Sequence, residues 1–227
     1  MIDLKKLEFS PSLSILIAGV LIAGAIIFTN QGTSSASDTN SILPASTQVP
    51  APTADDHIIG SPTAPIVLIE YSDFQCYYCM QAYPTIKRIV DESQGQIAWV
   101  MRHLPLESIH PEARPAAQAA ECITEQLGND GWWKFTESMF TDQENMGPAR
   151  YLALAGQLGA DTAKYMSCVS SNKYDAKINQ ESADAQVAGA QGTPYTVVYG
   201  NGAAVPISGA LPYQQFMSVI EAIKNKK

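Results

Sequence analysis

The chain has 227 residues, 46% of them hydrophobic and 16% charged, with a formal net charge of −8. That composition suffices for a substantial buried core and excludes a disordered chain, a coiled coil and a collagen-like fibre. No lysine or arginine cluster exceeds two residues before Lys224, Lys226 and Lys227, and an acidic chain without a basic face argues against a nucleic-acid binder.

Lys5 and Lys6 precede an uncharged run from Leu13 to Phe28. A membrane span needs roughly 20 residues and a signal-peptide core about 7–15. Residues 1–29 therefore read as a transmembrane signal-anchor, with a cleaved signal peptide as the alternative and Ser34-Ser35-Ala36 as its cleavage candidate. No Lys or Arg follows until Lys87, which keeps the N-terminus in the cytoplasm and exports the rest. Residues 30–56, rich in Ser, Thr, Ala, Pro and Asp, read as a flexible linker with a reach of roughly 25–30 Å.

The folded part is expected over residues 57–227. Ile66 to Ile69 is a short β-branched run after Pro65 and reads as a buried strand. A helical pattern follows Cys79 as far as Ser93, and Ile97 to Met101 reads as a second strand, parallel to the first in a βαβ unit. From Pro111 to Gly189 the pattern is helical, with breaks expected at Gly128, Gly131, Gly147 and Gly159. His110 is expected near the cap of the first of these helices. Thr196 to Tyr199 reads as a third strand, Asn201-Gly202 as a hairpin turn, and Ala203 to Ile207 as the returning strand. Pro212 opens a last helix with Phe216, Val219, Ile220 and Ile223 on one face. The expected class is α/β, in the order β-α-β, a helical insertion over about residues 108–190, then β-β-α.

Cys76-Tyr77-Tyr78-Cys79 carries the chemistry. At a strand-to-helix junction Cys76 meets unsatisfied backbone N–H groups and the positive end of the helix dipole, both of which favour a thiolate. Cys79 lies one turn further in and is less accessible. One sulfur can attack a disulfide and the other can resolve the mixed disulfide. Half of a zinc site is one alternative, though Cys122 and Cys168 form no second pair with ligand spacing and His57, His103 and His110 are scattered, so no metal is expected. An inert disulfide is the other. Glu70, six residues before Cys76, reads as a partly buried strand-end carboxylate able to accept the Cys79 proton; the alternative is a strand-end Glu turned to water. Pro194 belongs at the first position of its strand, because it lacks a ladder donor.

The run Glu70 to Cys79, joined with Gly192-Thr193-Pro194, resembles the DsbA-like branch of the thioredoxin superfamily. His57 to Pro62 and Arg102 to Leu106 extend the likeness, which covers residues 57–227. The resemblance implies a thioredoxin-like fold, Cys76 as nucleophile, Cys79 as resolving cysteine and Glu70 as buried acid. It implies a cis Pro194 beside the sulfurs, with the Thr193 backbone pairing an extended substrate. It also implies exported, unfolded or partly folded protein substrates, a membrane redox partner of DsbB type, and no cofactor. Tyr77 and Tyr78 depart from that family's strongly oxidising members, which carry a His between the cysteines. Neither tyrosine supplies a positive charge, and a helix terminus alone, worth at most about 2 kcal/mol, takes Cys76 only to about 7. A moderate oxidant is the expectation. Tyr77 and Tyr78 are the candidates for an apolar landing surface.

Cys122 and Cys168 are expected to form a structural bridge in an exported protein. Two independent buried thiols, or a second redox relay, are the alternatives. Trp132, Trp133, Phe135, Met139 and Phe140 read as a core face of one helix. The leading functional reading is a membrane-tethered thiol:disulfide oxidoreductase that donates disulfides outside the cytoplasm. A reductase or isomerase on the same scaffold, and a non-catalytic metal-binding module, are the alternatives.

Overall fold

The computed structural model describes residues 49–226. The signal-anchor expected over residues 1–29, and all but the end of the linker, lie outside the described residues. Among the described residues no helix is long and apolar enough to cross a membrane. In chain order the elements are β1 (His57–Ile59), β2 (Ile66–Ser72), α1 (Tyr77–Glu92), β3 (Ile97–His103), α2 (Ala113–Thr141), α3 (Pro148–Leu158), α4 (Thr162–Ser170), α5 (Asp175–Val187), β4 (Tyr195–Gly200), β5 (Ala203–Ser208) and α6 (Tyr213–Lys224).

One sheet runs in the order β1-β3-β2-β4-β5. β2 and β3 are parallel and joined through α1; the other pairs are antiparallel. β2 is central and buried along its whole length, which is why it opens with the unbroken apolar run Ile66 to Ile69 rather than an alternating one. Ile66 and Leu68 face one core, shared with Ile86 and Ile89 of α1, Trp132 and Phe135 of α2, and Phe216, Ile220 and Ile223 of α6. Val67, Ile69 and Tyr71 face a second, covered by Ala185 of α5 and by Ala188. The Asn201-Gly202 turn between β4 and β5 has positive φ at both residues, 47° and 68°, the conformation a tight hairpin needs.

Several elements differ from expectation. β1 is absent from the expected order, since three residues carry no readable period. β2 and β3 run on to Ser72 and His103 because Glu70, Arg102 and His103 find buried partners. Gly128 breaks α2 at φ 66°, but Gly131 lies inside the helix. There its missing side chain leaves room for Leu127, whose Cβ a Cβ at 131 would meet at 2.5 Å. α2 starts at Ala113 with Glu112 at its cap, so His110 lies in the preceding loop.

The end of the expected linker is docked. Arg102 donates from Nε and Nη2 to the two Asp56 oxygens at 2.7 and 2.9 Å, and from Nη1 to Pro50 O at 2.9 Å. Against the burial that would raise it, this guanidinium holds the Asp56 carboxyl below its ordinary range. A second buried cluster closes the other side of β3. Glu121 Oε1 meets His57 Nε2 at 2.8 Å, His103 Nε2 at 3.0 Å and Lys177 Nζ at 2.8 Å, and His57 stacks on Trp132 at 3.5 Å.

Candidate active site

β2 ends at Ser72 and three residues turn the chain into α1. Cys76 occupies the N-cap with an extended backbone (φ −73°, ψ 122°) and no side-chain oxygen caps the helix. Its sulfur stands where a capping oxygen would, facing the N–H groups that such an oxygen accepts from. Cys76 and Cys79 are both free thiols and both buried. The Cys79 thiol lowers Cys76 most, by hydrogen bonding to its sulfur. Burial opposes this, while the Thr193 side chain and the backbone N–H groups of Cys79 and Tyr78 add to the lowering, which reaches about 5. Cys79, desolvated and beside Cys76 and Glu70, is pushed well above the ordinary thiol value.

The figure of about 7 from the helix terminus alone is therefore corrected. The missing contribution is the Cys79 thiol itself together with directed backbone donors, none of which needs a cation between the cysteines. The thiol at the helix mouth thus ionises more readily than an ordinary cysteine and the one behind it less readily.

Glu70 lies inside β2, not at its end, and is completely buried. Burial raises its carboxyl to about 7, opposed by the nearby Ser72 hydroxyl and the Trp99 indole N–H. Trp99 Nε1 donates to Glu70 Oε2 at 2.9 Å.

Pro194 follows a cis peptide bond with Thr193. The Cys76 thiol donates to the Thr193 carbonyl at 3.4 Å. Thr193 and Pro194, with Gly189, Gln191, Gly192, Ser208 and Gly209, line an open cavity of about 450 Å³. Next to Cys76 in sequence, Tyr77 and Tyr78 are 60% and 62% exposed and meet edge to face at 5.6 Å. Exposed aromatics are costly unless something covers them part of the time. Larger cavities, of 620 Å³ over the Asp56–Lys177 cluster and 580 Å³ beside Cys168, lie away from the two thiols.

Cys122 and Cys168 are bonded to each other, with Cα atoms 5.8 Å apart, and join α2 to α4. They lie within the helical insertion and add no group to the Cys76 site.

Two residues that frame the site, Asp73 and Gln143, are not singled out by the sequence alone. Asp73 is buried; its carboxylate accepts from Gln75 N at 2.7 Å and Leu106 N at 2.9 Å and meets His110 Nδ1 at 2.8 Å. Its own N–H donates to Cys79 Sγ at 3.5 Å. Gln143, between α2 and α3, donates to Phe74 O at 2.8 Å and Cys76 O at 3.1 Å, tying the insertion to the helix mouth. The run Ser72 to Gln75 sits inside the quoted motif, but nothing in sequence spacing announces Leu106, His110 or Gln143 as its partners. Among the described residues no group of three or more His, Cys, Asp or Glu side chains converges to hold a metal.

A family model described as Thioredoxin matches residues 52–222. Of solved structures, Pseudomonas aeruginosa DsbA2 superposes with a TM-score of 0.63 at 24% identity, covering 77% of this chain and 98% of that one. Oxidised BdbD from Bacillus subtilis gives 0.64 at 19%, covering 75% and 94%. At these identities the likeness is one of fold. Among curated proteins, a Na(+)/H(+) antiporter NhaA 3 of Salinispora tropica is 33% identical over 153 residues, 67% of this chain but 23% of that protein. The chain thus spans about a quarter of the length of the curated relatives it matches, and the antiporter name belongs to the far longer protein.

Proposed function

The chain belongs to the thioredoxin family, and on that footing we propose that it is a thiol:disulfide oxidoreductase of DsbA type, membrane-tethered through residues 1–29 and working outside the cytoplasm. Cys76 is the nucleophile, Cys79 the resolving cysteine and Glu70 the buried acid. The observation that carries this reading is the pair of free thiols at the mouth of α1, with Cys76 at the N-cap and its sulfur 3.4 Å from the Thr193 carbonyl beside cis Pro194; the lowering of Cys76 and the raising of Cys79 agree with it. Stabilising the Cys76 thiolate stabilises the reduced pair, so electrons flow towards this protein and disulfides flow away from it. Donation to unfolded or partly folded exported chains is the favoured direction, with a DsbB-type membrane oxidase restoring the disulfide.

A substrate thiolate attacks Cys76 Sγ of the oxidised pair, the Cys76–Cys79 bond breaks, and Cys79 leaves and is protonated. A second substrate thiolate then attacks the substrate sulfur of the mixed disulfide and releases Cys76 as thiolate. The substrate gains one disulfide, losing two electrons to the cysteine pair. Tyr77 and Tyr78 on one side and Thr193-Pro194 on the other flank the position of the attacking chain, and the Thr193 backbone pairs with it.

Oxidation of a reduced dithiol peptide by the full chain tests the activity. Turnover should vanish in Cys76→Ser, and Cys79→Ser should accumulate mixed disulfides. The redox state of the pair in intact cells tests direction: mostly oxidised supports donation, mostly reduced supports the reductase alternative.

A further inference from the structure

Two buried polar atoms beside the thiols make no hydrogen bond, Glu70 Oε1 and Ser72 Oγ. They stand two residues apart in β2, so both side chains project from the same face of the sheet, the one α1 covers. Trp99 holds the other Glu70 oxygen and is itself wedged between Tyr83 at 5.5 Å and Trp133 at 4.8 Å, so Oε1 is the oxygen left to exchange a proton. The chain leaving Ser72 runs directly onto the inner sulfur, since the Asp73 N–H donates to Cys79 Sγ. The Ser72 hydroxyl acts on both neighbours, drawing down Glu70 and Cys79 alike. A hydroxyl carries one proton and two lone pairs, so it can accept from one group while donating to the other.

We propose that Ser72 is the proton relay between Glu70 and Cys79. The inference rests on the reading of Cys79 as the resolving thiol. When the Cys76–Cys79 bond breaks, the Cys79 thiolate takes the Ser72 hydroxyl proton and Ser72 takes the Glu70 carboxyl proton, leaving Cys79 neutral and Glu70 ionised. In the reverse direction each proton returns, and the Cys79 thiolate attacks Cys76 Sγ. Among the described residues the titratable groups acting on Glu70 from α1 and its cap are Cys76, Cys79 and Tyr83. β3 presents Trp99 to it, and β4 sets Thr196 opposite.

The test is stopped-flow reduction of a disulfide peptide by the reduced full chain between pH 5 and 9, in H₂O and D₂O. In the wild type the resolving step should speed up through about pH 7 as Glu70 ionises. Ser72→Ala should slow that step by about tenfold, less than the loss of a whole general base because the acid remains, and should diminish its solvent isotope effect. Cys76 alkylation should keep its pH profile. Ser72→Thr should restore the rate, and Ser72→Ala should add nothing to Glu70→Gln. A Ser72→Ala profile superimposed on the wild type, or effects that multiply in the double variant, would overturn the relay. If Ser72→Ala does not fold, Ser72→Thr against Ser72→Val makes the same comparison, as the two are isosteric but for the hydroxyl. A wild type without exchange activity would overturn the reading of the thiols themselves, a result distinct from failure of the relay alone.

Discussion

Cys76 Sγ and the Thr193 carbonyl oxygen lie 3.4 Å apart across 117 residues of chain. The sheet brings them together. β4 pairs antiparallel with β2, with Tyr195 opposite Tyr71, so the residues just before β4 stand beside the turn just after β2.

That sulfur should react as a thiolate well below the ordinary thiol range. Iodoacetamide alkylation of Cys76 should rise with a midpoint near pH 5 and be level by pH 7. Cys79 should stay unmodified over the same range. A midpoint above pH 8 would mean that the Cys79 thiol and the backbone donors do not act on Cys76 as described.

Glu70 carries a cost that depends on pH. Its carboxyl is raised in the folded chain from 4.5 to about 7. Below the unfolded value both states hold the proton and nothing is lost. As pH rises past 4.5 the unfolded state ionises first, and the folded state is destabilised increasingly until about pH 7, then constantly. Glu70→Gln should therefore stabilise the protein at pH 8 relative to pH 4, by as much as about 3 kcal/mol at 1.36 kcal/mol per pKa unit. Urea denaturation at the two pH values measures the difference; equal gains at both would show that the fold does not raise the Glu70 carboxyl above its unfolded value.

The Cys122–Cys168 bridge closes a loop with a sequence separation of 46. Replacing both cysteines by alanine should lower unfolding free energy by about 4 kcal/mol in the chain-entropy account, while exchange at Cys76 persists in the folded fraction. Loss of exchange from the fully folded double variant would give the bridge a part in the chemistry.

Arg102→Met should be costly in another way. It leaves the buried Asp56 carboxylate without its partner, a change worth about 3–5 kcal/mol when one member of a buried pair is removed. It should also free residues 49–56 to limited proteolysis, read by mass spectrometry, ahead of any cleavage within the sheet.

The sequence alone determined the βαβ unit around Cys76, the ββα finish and the place of Cys76 at a helix mouth, though not β1. Those features are local: β-branched runs, a hairpin dipeptide, and two cysteines one turn apart each act over a few residues. It placed Glu70 near the thiols but at a strand end, because a strand's last residue depends on partners elsewhere, here Trp99 in β3 and Thr196 in β4. Tertiary structure alone decided how far Cys76 is ionised, since the largest lowering comes from the Cys79 thiol in a particular orientation. It likewise decided that Asp73, His110, Gln143 and Thr193 meet around the helix mouth. Spacings of 37, 67 and 117 residues have no period to read; only the pairing of strands and the fold of the insertion makes them neighbours.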